Sequence, residues 1–80
     1  MTKLSVLLIF AEGKGFLTPD QVRERIPSRP DRGSFYSYLL RLQKQGLLER
    51  SPNHRRGHLS YRITSRGYAR IAYLRDHSDS

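Results

Sequence analysis

The chain has 80 residues, with 15 Lys and Arg against 7 Asp and Glu, a formal net charge of +8 and no cysteine. So short a chain buries only about 60 to 65% of its unfolded surface, which leaves room for one small core, a single domain over residues 1–80, and little catalytic architecture. Without cysteine there is no disulfide framework and no thiolate metal site, as suits a cytoplasmic protein. The apolar run 6–11 is far shorter than the roughly 20 residues of a membrane span, and it makes a poor signal peptide because only Lys3 precedes it.

In chain order, residues 2–12 read as a helix with Leu4, Leu7, Leu8 and Ala11 on one stripe. Val6, Ile9 and Phe10 make that helix apolar most of the way round and leave some strand ambiguity, and Gly13 and Gly15 are expected to end it. Thr18-Pro19-Asp20-Gln21 is a helix start: Thr18 caps, Pro19 occupies the first turn and Gln21 stands at capping-box spacing. Val22 and Ile26 then face inward until Pro27. A third helix over about 31–46 begins at Asp31, a capping residue, and carries the stripe Phe35, Leu39, Leu42, Gly46 at i, i+4, i+7, i+11.

After Gly46 the period changes from helical to alternating. Residues 47–50 form a short strand, 51–57 are rich in turn residues, and Leu59, Tyr61 and Ile63 alternate with Ser60 and Arg62 as in a half-buried strand. Thr64 caps a last helix with Gly67, Ile71 and Leu74 inward and Tyr68 and Ala72 beside them, and residues 77–80 are expected to fray. The expected fold is mainly α with one small β-hairpin, in the order α-α-α-β-wing-β-α.

Charge follows this layout unevenly. Between residues 28 and 66, nine bases (Arg29, Arg32, Arg41, Lys44, Arg50, Arg55, Arg56, Arg62, Arg66) face two acids, Asp31 and Glu49, so seven of the eight net charges lie there. Positive charge concentrated on one face is the footprint of a phosphate-backbone binder. The chain also prefers Arg to Lys, twelve to three, which favours bidentate pairing with phosphate or guanine.

Gly33-Ser34-Phe35-Tyr36, Leu39, Leu42 and Gly46-Leu47-Leu48-Glu49-Arg50, followed by Tyr61-Arg62-Ile63-Thr64 and Gly67, resemble the PadR group of transcriptional regulators and, more loosely, the MarR group. The resemblance covers most of the chain and implies a winged helix-turn-helix fold. It also implies homodimers on pseudo-palindromic DNA, without catalysis. In that group a long helical segment after the wing makes the dimer. Here only about a dozen residues of last helix are expected, so that segment is absent or reduced. A weak homodimer through Val6, Ile9 and Phe10 of the first helix with Tyr73 of the last is the expected substitute.

At 100° per residue, the third helix turns Gly33, Ser37, Leu40, Arg41 and Lys44 away from its core stripe. Such a face fits a major groove about 12 Å wide, with Ser34 and Ser37 allowing close approach and Arg41 and Lys44 reaching guanine edges or phosphates. Arg29 and Arg32 would meet the backbone or base edges at its N-terminal end, and Tyr36 either packs in the core or bonds a phosphate. Asn53, His54, Arg55, Arg56 and His58 form a basic wing over 51–58, suited to the minor groove or the backbone.

The expected function is therefore sequence-specific binding of double-stranded DNA in transcriptional regulation, in the cytoplasm on the nucleoid. The alternative is a protein-docking winged helix in a larger complex, and RNA or single-strand binding is disfavoured because Tyr61 points inward. No Ser-His-Asp spacing, glycine phosphate loop or carboxylate pair argues for an enzyme or a cofactor. Nor is a metal expected, since His54 and His58 lie in an Arg-rich loop that repels cations.

Overall fold

The computed structural model describes residues 2–52 and 59–77. It contains helices α1 (Lys3–Gly13), α2 (Pro19–Glu24), α3 (Arg32–Lys44) and α4 (Ser65–His77), with strands β1 (Leu48–Arg50) and β2 (Tyr61–Ile63) between α3 and α4. The architecture is mainly helical with a two-stranded antiparallel sheet. Among the described residues no helix is long and apolar enough to cross a membrane.

Local chemistry accounts for most helix ends. Thr18 Oγ1 accepts from Gln21 N–H at 3.1 Å while Gln21 Oε1 accepts from Thr18 N–H at 2.9 Å, so the expected capping box satisfies two otherwise unpaired donors. A second box, which the sequence reading missed, starts α1: Thr2 and Ser5 exchange backbone-to-side-chain bonds of 3.1 Å each. Asp31 accepts from Ser34 N–H at 3.2 Å and starts α3. Gly46, at φ +79, turns the chain out of that helix where a side chain would strain the backbone.

α1 departs from expectation. Val6, Leu7 and Phe10 are 0%, 0% and 1% exposed, whereas Leu4, Leu8 and Ala11 are only half-buried. A helix apolar all round has no periodicity from which to choose a face, and here α1 packs against α4, β2 and α2 together. Val6 and Phe10 are therefore core residues and offer no dimer surface. Its end also shifts: Lys14, not a glycine, takes the left-handed cap position at φ 46. Gly13 stays helical and leaves room for Leu17, whose Cδ1 lies 2.5 Å from where a Gly13 Cβ would stand.

Three members of the expected α3 stripe are buried, Phe35 and Leu39 at 0% and Leu42 at 1% exposure, each contributing about 1.5–3 kcal/mol, whereas Gly46 lies beyond the helix and is only half-buried. The strands pair Leu48 with Ile63, Glu49 with Arg62 and Arg50 with Tyr61, which puts Leu48, Tyr61 and Ile63 in the core. Leu47 is buried but precedes the strand, and Leu59 is half-buried outside it. Leu17 adds an unanticipated bridge to Tyr61, with reciprocal N–H···O bonds of 2.8 Å. This bridge ties the α1–α2 connection to β2. In α4, Gly67 and Ile71 are buried and Leu74 half-buried as expected, but Tyr68 and Ala72 are exposed. His77 does not fray: its ring stacks on Tyr73 at 4.0 Å and its Nδ1 lies 2.7 Å from the Tyr73 carbonyl oxygen.

Candidate functional site

The core stripe fixes the rotation of α3. With Phe35, Leu39 and Leu42 inside, Gly33, Ser34, Ser37, Leu40, Arg41 and Lys44 are exposed on the outer side. Ser34, Ser37, Tyr38 and Arg41 line an open depression of about 330 Å³, so the small side chains leave relief on a basic surface. Burial raises the pKa of the Tyr38 phenol beside it.

A second groove, of about 280 Å³, runs between α3 and the hairpin and is lined by Tyr36, Ser37, Leu40, Arg50, Leu59 and Tyr61. Arg50 was counted among the basic residues but not assigned to the site. Its place beside α3 follows from the packing of β1 against that helix. Leu40, 44% exposed, supplies an apolar patch at the middle of the basic face.

The N-terminal end of α3 differs more from expectation. Arg32 donates from Nε and an Nη to Asp20 of α2, at 3.3 and 3.1 Å. The Tyr36 hydroxyl, which the sequence left between core and phosphate, is directed to the same carboxylate at 3.5 Å. Tyr36 is 36% exposed and so is not a core residue. α3 itself carries no acid from Arg32 to Lys44, but folding delivers one from α2. Arg29 stands just before this end in a left-handed conformation, φ 40, its N–H donating to the Ile26 carbonyl at 3.0 Å.

Another base is neutralised on the outer face of the hairpin. Arg62 donates from Nε to Glu49 Oε1 at 2.6 Å, and its guanidinium lies 4.6 Å from the centre of the Phe16 ring. Among the described residues, Arg29, Arg41, Lys44, Arg50 and Arg66 make no ion pair with an acid. The five wing residues expected to contact DNA (Asn53, His54, Arg55, Arg56 and His58) lie outside the described residues. Among the described residues no cluster of three or more His, Cys, Asp or Glu is placed to hold a metal.

The chain matches no known protein family, no curated protein and no solved structure.

Proposed function

We propose that the chain is a sequence-specific double-stranded DNA-binding protein of winged helix-turn-helix type, acting as a transcriptional regulator. In this reading α3 enters the major groove and residues 51–58 form a wing on the minor groove or the backbone. The observation that carries it is the outer face of α3, where Ser34, Ser37, Arg41 and Lys44 are exposed together and extended by Arg50, opposite a fully buried stripe. Short polar side chains permit close approach, and the bases supply donors to phosphates and guanine edges.

Arg29, Arg41, Lys44, Arg50, Arg55 and Arg56 are six candidate phosphate or base contacts. If they neutralise phosphates, affinity for a duplex falls with a log-log salt slope of roughly −5. Binding-site selection from random duplexes, followed by salt titration of the recovered site, tests the proposal. A recovered motif with that slope supports it; no motif and a slope near zero overturn it.

Tyr68 and Tyr73, 52% and 54% exposed on α4, favour a second reading in which the domain docks a protein partner. A pull-down after nuclease treatment separates the two, because a nucleic-acid partner is lost and a protein partner remains.

A further inference from the structure

The carboxylate of Asp20 is held by side chains of α3. Two donors on α3, the Arg32 guanidinium and the Tyr36 hydroxyl, converge on it. Asp20 stands in the first turn of its own helix, where its charge is favourable, but the cap hydrogen bonds there are made by Thr18 and Gln21. Asp31, the other carboxylate at this end of α3, accepts from Ser34 N–H. The side chains of Arg32 and Asp20 are 66% and 45% exposed, so the pair is open to solvent and to an incoming ligand.

We propose that Arg32 and Tyr36 form a phosphodiester-binding site whose occupant in the free protein is the Asp20 carboxylate, making Asp20 an internal competitor that limits binding to duplex DNA. This inference rests on the DNA-binding reading above. A carboxylate and a phosphodiester accept the same charge-assisted bonds from a guanidinium, and an exposed ion pair has little net stability to resist exchange. When phosphate takes Arg32, the released Asp20 remains as a like charge beside it. This repulsion reduces affinity at every duplex position that offers no compensating contact.

The test measures affinity of the full chain for a random-sequence duplex across a salt series. Asp20→Asn should bind about threefold to tenfold more tightly than wild type at each salt concentration, because the same phosphate contact no longer has to displace a carboxylate. Glu12→Gln, which removes an exposed acid from α1, controls for net charge and should gain less than about twofold. Adding Arg32→Gln to Asp20→Asn should abolish the gain. Asp20→Ser serves in place of Asp20→Asn should that variant fail to fold, as judged by its melting transition.

A gain in Asp20→Asn no larger than in Glu12→Gln, or one that survives loss of Arg32, overturns the inference while leaving a salt-dependent wild type as a DNA binder. A wild type with no salt-dependent duplex binding overturns both.

Discussion

The Thr64 hydroxyl donates a hydrogen bond of 2.6 Å to the carbonyl oxygen of Gly46, joining the residue before α4 to the glycine that ends α3. The same hydroxyl accepts from Gly67 N–H at 3.0 Å, and Thr64 N–H donates to the Leu47 carbonyl at 3.1 Å. One side chain thus caps α4 and ties the end of the β2 segment to the end of α3. Thr64→Val keeps the shape and loses both hydroxyl bonds, and should cost about 1–3 kcal/mol in urea unfolding. Thr64→Ser should recover most of that loss.

Gly67 is needed for space. A Cβ there would overlap the Leu47 carbonyl oxygen and lie 2.5 Å from Ile63 Cγ1, so α4 could not stay as close to the hairpin. Gly67→Ala should destabilise by about 1–3 kcal/mol despite alanine's helix propensity. An unchanged melting temperature would contradict this packing.

On the DNA-binding reading, Arg41 lies where α3 reaches base edges and Arg55 where the wing meets the backbone. Arg41→Ala should cost about 1–3 kcal/mol and relax preference at one position of the selected site, whereas Arg55→Ala should weaken all sequences alike. Binding to a panel of single-base variants separates the two patterns, and equal, unselective losses would mean that α3 reads no bases.

Leu40 is exposed on that face, and on the same DNA-binding reading its apolar side chain meets a thymine methyl group. Replacing thymine by uracil across the selected site should weaken wild type at one position, and Leu40→Ala should be insensitive to that replacement. Identical uracil sensitivity in both proteins would remove Leu40 from readout.

Tyr61 is 3% exposed, and its burial raises the phenol pKa although the Arg50 charge partly opposes the shift. The folded state therefore binds this proton more tightly than the unfolded chain, whose tyrosines ionise near pH 10. Stability from this group is complete below about pH 10 and is lost as pH rises through the higher folded value. Urea midpoints should fall across that alkaline range, and Tyr61→Phe should reduce the fall; a phenol absorbance titration checks the ionisation directly.

Signals that act within a few residues were legible before folding. Thr18 with Gln21, Asp31 before Ser34, the stripe Phe35, Leu39 and Leu42, and the alternation of Tyr61 and Ile63 all concern neighbours along one helix turn or strand. They determined α2, α3, a paired strand and the outward face of α3, because backbone donors and apolar periodicity are satisfied locally. Tertiary structure decided what depends on partners distant in sequence. It chose Val6, Leu7 and Phe10 as the buried face of a helix apolar on every side, tied Leu17 to Tyr61, and placed Arg50 beside Leu40. It also gave Arg32 to Asp20, twelve residues earlier, since a charge pairs with whichever acid the packing of α2 against α3 brings within reach. Composition counted Arg32 only as one of nine bases between residues 28 and 66; folding made it one half of an ion pair with an acid outside that segment.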